Sequence, residues 1–484
     1  MHTKSTPTYP IHVSSETGKL RKVLVHSPDS GLGKVVPSKA QDWLFEDIVH
    51  LDTIRRQEYD HYIKLLLYFL DPDRIKGRLE EVDSPAGNRN FYKPEHANFH
   101  HSPCVVELQS LLMEILEDDS IKSQLVAAVC AIEACSYEVQ RELIGYSPAA
   151  LARVFFSGTY NEQKMIFAPI PNFIFTRDIG IVINDYILLN KPMKEARKRE
   201  ALIAKYIFFH HPYFADYRNN MIELTDTQHH FLLPRDTETD KVTLEGGDVM
   251  VVSNNHVLIG ISERTSKEAA SQAIRKLFDY GVVRKATVVK IPSRRDYMHI
   301  DTVFTQIKRD TWVMLGDFSN ARSKGLQTDE IHRMLRVMPD LADKPEIIQF
   351  ERGEEARPRH FDTVEDLLRD ISVTDLGCRP DSVRIILSGN DEFPFDTREQ
   401  WTDSCNLLAL QEGVVLGYDR NDKTTEAFRQ AGFDVIDVKT LIAALESGDL
   451  QTGQLTDTLV LMPSAELSRA RGGFHCMSMP LLRD

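Results

Sequence analysis

The segment Gly472-Gly473-Phe474-His475-Cys476-Met477 places a thiol just beyond two glycines, where the backbone is free to approach a ligand closely. A cysteine there is either a nucleophile on a rigid platform or a small buried hydrophobe in a tail strand, and taken alone the segment favours neither. Three more clusters carry residues of the same kind. Met298-His299-Ile300-Asp301-Thr302 sets an imidazole two residues from a carboxylate, on one side of the chain if the segment is extended. Such a histidine shuttles protons or is a satisfied structural residue, and alone the structural reading leads. Leu244-Glu245-Gly246-Gly247-Asp248 puts an acid beside permissive backbone, as a ligand group or as a solvated turn residue. Asp178 closes the apolar run Phe173-Ile174-Phe175-Thr176-Arg177, where it serves a site or an N-cap.

The combination narrows the chemistry. Cys476 with His299 points to covalent catalysis, and no histidine pair has the helical spacing of a metal site, so neither metal nor cofactor is expected. Asp178, Glu245 and Asp301 around that pair call for a cationic substrate, because buried charges need partners. A guanidinium fits, being planar, with five donors that match bidentate carboxylates.

These clusters need elements to position them. The spacing predicts a strand over 20–26 and a helix over about 48–70. From 71 to 156 helical spacing recurs with no convincing strand, which reads as an all-helical insert. After it, a ββαβ pattern repeats. Strands are predicted at 173–175 and 181–189 with a helix over 193–207. The second copy has a hairpin at 249–252 and 257–261, turned at Ser253-Asn254-Asn255, then a helix over 267–280 and a strand over 286–291. The third has strands at 407–410 and 414–418, a helix over 423–430 and a strand over 434–438. Repetition of this kind predicts units arranged around a common centre. Charged residues recur beyond each hairpin, at Arg197, Glu263-Arg264 and Asp419-Arg420. They are solvated loop charges or, in three copies, the lining of a shared site. The stretch from 306 to 400 is partly irregular, with strands at 311–315 and 383–387, helices at 329–337 and 364–371, and an undetermined role.

The 484 residues allow two or three domains on length alone, or one large closed architecture. A formal net charge of −14 argues against nucleic acid as a partner, since phosphate binding needs clustered cations. The six cysteines have no C-x-x-C pair, so free thiols are expected rather than a disulfide framework. No apolar run is long enough to span a bilayer and the N-terminus lacks a signal-peptide core, so a cytoplasmic protein without membrane contact is expected.

In this order along the chain, the motifs closely resemble the arginine deiminase family of the guanidino-group-modifying superfamily. Glu16-Thr17-Gly18-Lys19-Leu20-Arg21, Trp43-Leu44-Phe45-Glu46-Asp47, Phe175-Thr176-Arg177-Asp178, Leu244-Glu245-Gly246-Gly247-Asp248, Gly260-Ile261-Ser262-Glu263-Arg264-Thr265, Met298-His299-Ile300-Asp301-Thr302-Val303-Phe304 and the Cys476 loop carry the likeness. The resemblance implies a five-bladed pseudo-symmetric α/β propeller of ββαβ units with an all-helical insert. The catalytic propeller is then formed by 1–70 and 157–484, the insert by 71–156, and 306–400 is an extension within the propeller. It implies that Asp178 and Asp301 grip the guanidinium while Glu245 assists and positions His299. Arg197, Arg264 and Arg471 bind the substrate carboxylate, and Asn172 with the backbone near Leu44 holds the amino-acid end. Two features depart from the family: Ala470 stands where a glycine is usual before the arginine of the Cys loop, and 305–405 is longer.

The activity implied is hydrolysis of L-arginine to citrulline and ammonia. Cys476 attacks the guanidinium carbon, His299 protonates departing ammonia, and water then resolves a covalent thiouronium. Alternatives on the same intermediate are an amidinotransferase and a dihydrolase making ornithine; a non-catalytic arginine-binding protein is a third reading. The sequence leaves open whether the chain forms a homo-oligomer.

Overall fold

The computed structural model describes residues 8–40, 42, 43, 45, 47–84, 89–160, 164–226, 241–320 and 345–484. Leu44 and the predicted helix at 329–337 lie outside the described residues. Among the described residues, no helix is long and apolar enough to cross a membrane.

The architecture is mixed α/β. Five sheets have three or more strands among the described residues, and all five share one pairing rule. In four of them, a two-residue turn joins an antiparallel hairpin, and a crossover returns a strand parallel to the hairpin's second strand. The hairpins are Gly180–Ile183 with Tyr186–Leu189, Val249–Ser253 with His256–Ile261, Phe304–Lys308 with Thr311–Met314, and Leu408–Gln411 with Val414–Tyr418. Their parallel partners are Met221–Ile222, Lys285–Lys290, Arg384–Leu387 and Thr458–Met462. The fifth sheet joins the chain ends. Leu20–Val25 pairs antiparallel with Met479–Arg483 and parallel with Val105–Glu107.

Turn chemistry explains two of these hairpins, whereas Asn254 and Asn255 do not take the positive φ expected of them. Asn184 (φ 51°) and Gly413 (φ 76°) take the left-handed conformation that two-residue turns require. Helices then cover the sheets. In Lys267–Asp279 the buried residues Ala269, Ala270, Ala273, Ile274, Leu277 and Phe278 recur with a period near 3.6, and the Ser266 side chain caps Ala269 N.

Four readings change. Residues 71–156 do contain a strand, Val105–Glu107, because backbone pairing with Val23–Val25 captures three residues of local β character before the helix Leu108–Ile115. The predicted strand at 173–175 is a 3-10 turn over Pro171–Ile174, closed by Phe175 N donating to Asn172 O. The helix predicted at 193–207 runs Lys198–His210, since Lys191 is held extended in a bridge to Leu244. The helix predicted at 48–70 is interrupted by a π-turn over Ile54–Glu58 before Tyr59–Leu70.

What positions chemistry is the entry to each sheet. A 3-10 turn leads into three of the hairpins: Thr176–Ile179, Gly246–Asp248 and Ile300–Thr302. These turns meet one another in space. Asp178, Glu245, His299 and Asp301 lie within them or at their first cap.

Candidate active site

Asn172, Phe175, Asp178, Arg197, Glu245, Arg264, Met298, His299, Thr302, Ala470, Arg471 and Cys476 line a single cavity. Apart from Leu44 and Asp301, it gathers every site residue that the resemblance implies, and Asp301 lies 3.6 Å from Cys476 Sγ. Of the charges that recur beyond the hairpins, Arg197 and Arg264 line it, whereas Glu263, Asp419 and Arg420 do not; Asp419 accepts from Ser464 Oγ and Arg420 donates to Ser468 Oγ instead.

Cys476 is buried at 6% exposure. Its N–H donates to Asn406 Oδ1 at 3.0 Å, and its carbonyl accepts from Arg177 N at 3.0 Å. The two glycines before it serve close approach rather than unusual dihedrals. A Cβ on Gly472 would meet the Phe175 ring at 2.3 Å, and one on Gly473 the Asn406 carbonyl at 2.3 Å. The left-handed residue of this loop is instead Arg471, at φ 61°. Burial, with Asp301 and Asp178 nearby, pushes the Cys476 thiol well above its ordinary pKa. The thiol is therefore neutral until a positive charge arrives.

His299 and Asp301 do not share a face. His299 is extended, but the 3-10 turn begins at Ile300, so the two side chains diverge. His299 Nε2 meets Glu245 Oε2 at 3.1 Å. Asp301 Oδ2 accepts from His475 Nδ1 at 2.9 Å and lies 3.6 Å from Cys476 Sγ. Burial opposes the charge of His299, yet Asp178, Glu245 and Asp248 outweigh it and push its pKa up to about 10. The imidazole is thus a cationic acid at neutral pH. Burial likewise opposes the charge of Glu245, but Arg197, His299 and Arg264 hold its carboxyl well below the usual range.

The arginines divide. Arg197 was expected on the substrate-carboxylate side, but its Nη1 bridges Asp178 Oδ2 at 2.9 Å and Glu245 Oε2 at 3.0 Å, and its Nε reaches Glu200 at 2.8 Å. The reason is electrostatic: these carboxylates are buried, and Arg197, which ends the 3-10 turn Glu195–Arg197 and caps the helix Lys198–His210, brings a counter-charge to them. Only its Nη2 lacks a protein partner. Arg264 and Arg471 differ. Among the described residues Arg264 Nε has no hydrogen bond, though it lies 3.7 Å from Glu263 Oε1 and Arg264 Nη2 donates to Met298 Sδ at 3.8 Å, and Nε, Nη1 and Nη2 of Arg471 all lack one, although both side chains are buried. Buried cationic donors without acceptors are costly, and they face the cavity. Asn172 Nδ2 donates to Trp43 O at 2.7 Å. Ala470 lines the same wall, at the end of a right-handed 3-10 turn that accommodates its methyl.

Sequence reasoning missed the supports. Asp248 is fully buried; it accepts from Ile300 N and Ser262 Oγ, and burial raises its pKa to about 6. It thereby ties the Glu245 turn to the His299 turn. Glu16 accepts from Arg177 Nη2 at 2.6 Å and faces His475 Nε2 at 3.2 Å, behind Asp301. Asn406, which orients the Cys476 backbone, gave no local signal, whereas adjacency to the thiol is a signal that could have found His475. Asp178, Glu245 and His299 also bring ligand-type atoms within 4.8 Å of one another. A metal there would have to displace Arg197 Nη1 and the His299 proton.

Gly247 shows how tightly the acid is held. A Cβ at this position would lie 2.4 Å from His299 Nδ1. Gly247→Ala is expected to push the imidazole off Glu245 and lower kcat by about a hundredfold, the usual cost of a ~1 Å misplacement, with the far-ultraviolet circular dichroism unchanged. An unchanged kcat would show that the imidazole position does not matter.

Fold and site together define a class: a protein whose buried thiol and imidazole share one cavity with carboxylates and with a buried guanidinium, that of Arg471, whose donors lack acceptors among the described residues. Residues 147–445 match the family model for arginine deiminase. The chain is 30% identical to the arginine deiminase of Borrelia duttonii (strain Ly), over 98% of each chain. It is also 30% identical to that of Latilactobacillus sakei subsp. sakei (strain 23K), over 99% of each. Among solved structures, SxtG, an amidinotransferase from Microseira wollei, aligns over 98% of this chain and 97% of its own at 12% identity and a TM-score of 0.45. The chain belongs to the arginine deiminase family.

Proposed function

We propose that this chain hydrolyses the guanidinium of L-arginine to L-citrulline and ammonia through a covalent adduct on Cys476. The observation that carries this reading is the mixed lining of one cavity. Carboxylates, a neutral thiol, and Arg264 and Arg471 with buried donors that lack hydrogen-bond acceptors among the described residues all share it. That is the complement of a guanidino acid, cationic at one end and anionic at the other.

Substrate binding is then an exchange. The substrate guanidinium takes over Asp178 and Asp301, and the Arg197 fork, released from Asp178, turns toward the α-carboxylate with Arg264 and Arg471. Charge balance in the buried site is kept throughout. Asn172 and the backbone near Leu44 hold the amino-acid end. The bound cation lowers the Cys476 pKa, the thiol proton passes to solvent, and the thiolate attacks the guanidinium carbon. The bond to the terminal nitrogen breaks as His299 gives that nitrogen its proton, and ammonia leaves. Neutral His299, held by Glu245, then takes a proton from water. The resulting hydroxide attacks the thiouronium carbon, the carbon–sulfur bond breaks, the hydroxyl proton passes to the departing sulfur, and citrulline forms with Cys476 restored as a thiol.

The same reading extends to the scaffold. The common pairing rule of the five sheets supports a five-bladed pseudo-symmetric propeller of ββαβ units, with Val105–Glu107 contributed to it from the segment 71–156. In this division 1–70 and 157–484 carry catalysis, the remainder of 71–156 is a helical insert, and 306–400 an extension. Cytoplasmic location and small-molecule rather than nucleic-acid partners belong to the same proposal.

Product analysis by mass spectrometry tests the function. Citrulline and ammonia in a one-to-one ratio are expected. Ornithine with further ammonia would make the chain a dihydrolase, and an amidino group appearing on an added amine would make it a transferase.

A further inference from the structure

Arg471 presents a physical problem. Its guanidinium is buried, carries a full charge, and has no hydrogen-bond partner among the described residues on Nε, Nη1 or Nη2. Its backbone is left-handed at φ 61°, which costs a non-glycine residue. Something must hold this side chain in place. Among the described residues the structure offers one contact of the right kind: the Arg471 guanidinium carbon lies 3.8 Å from the centre of the Trp401 ring.

Trp401 is the last residue of the helix Phe395–Trp401 and is 47% exposed, an unusual position for so large an apolar group. Its neighbours fix it from both sides. Glu399 accepts from Lys423 N and Thr424 N, each at 2.8 Å. Gln400 Nε2 donates to Asp296 O at 2.6 Å, and Asn421 Nδ2 donates to Thr402 O at 3.1 Å. The indole is therefore delivered as a fixed shelf rather than as a loose surface side chain.

A stacked shelf differs from a carboxylate partner in one respect. Ion pairing consumes guanidinium donors, as Asp178, Glu245 and Glu200 do for Arg197. Stacking engages only the π face and leaves the N–H fork free in its own plane. We propose that Trp401 is a positioning residue for substrate specificity. By stacking, it holds Arg471 with its donors uncommitted, so that they are available to the carboxylate of the guanidino acid. This rests on the reading of Arg471 as a carboxylate receptor given above.

The test compares kcat and KM for L-arginine in Trp401→Phe, Trp401→Leu, Trp401→Ala, Arg471→Ala and the Trp401→Leu/Arg471→Ala double variant. Agmatine, which lacks the carboxylate, serves as a competing ligand. Trp401→Leu keeps apolar bulk without a π face, so it reads the stack even if the alanine variant folds poorly. The expected result is a rise in KM of about tenfold in Trp401→Leu, with kcat within about twofold of the parent and the inhibition constant of agmatine unchanged. Trp401→Phe should recover most of the loss, and the double variant should be no worse than Arg471→Ala. A large KM effect in Arg471→Ala with none in Trp401→Leu would overturn the role of Trp401 alone. Independent, multiplying effects in the double variant would do the same. An unchanged KM in Arg471→Ala would overturn the carboxylate reading itself and Trp401's role with it.

Discussion

Cys476→Ala leaves L-arginine bound but unconverted: kcat/KM for citrulline release falls by about 10⁴-fold or more, the scale set by loss of a covalent nucleophile. The basis is geometric. The thiol stands at the cavity wall, its backbone fixed by Asn406 and Arg177 and its sulfur 3.6 Å from Asp301. Calorimetry separates lost chemistry from lost structure, since the variant should still bind L-arginine through the carboxylates and arginines of the cavity. Conversion by Cys476→Ala at the parent rate would rule out the covalent route. Cys476→Ser is expected to lie near the alanine variant, because burial opposes ionisation of an alkoxide even more than of a thiolate.

Glu245→Gln lowers kcat/KM by about 10²- to 10⁴-fold and moves its basic limb to lower pH. The sign follows from His299. Burial favours the neutral ring, and the surrounding carboxylates reverse that preference, raising the pKa to about 10. His299 is therefore protonated, and able to act as an acid, until pH rises through that value. Removing the Glu245 charge weakens the raising effect and leaves Arg197 less balanced, so both changes lower the His299 pKa. The fraction of protonated ring then falls off earlier as pH rises. A basic limb that stays where it is in Glu245→Gln, measured over pH 6–10.5, would mean that a different group supplies the proton.

Much of the site was legible because residue type and short spacing are local properties. Cys476 behind a glycine pair, His299 near a carboxylate and Glu245 beside Gly246-Gly247 all declared themselves. Less was legible where a short segment is governed by what it packs on. Residues 173–175 have the composition of a strand, yet all three are buried in a turn, and with no neighbouring strand to pair they close on Asn172. Val105–Glu107 is the converse case, a three-residue strand that exists because Val23–Val25 lies beside it.

The amino-acid sequence alone determined the inventory of this protein: a thiol behind a glycine pair, an imidazole, the acids that demand a cationic partner, and hairpins of which two turn on Asn184 and Gly413. These follow from covalent order and backbone preference, which act over a few residues. The tertiary structure decided the pairing. It set His475 of the Cys476 loop against Asp301, 174 residues away, and turned His299 toward Glu245 instead. It placed Arg197 among the acids and left Arg471 on Trp401 with its donors free. Which charge meets which depends on distances of a few ångströms between turns far apart in the chain, and those distances exist only once the sheets have packed.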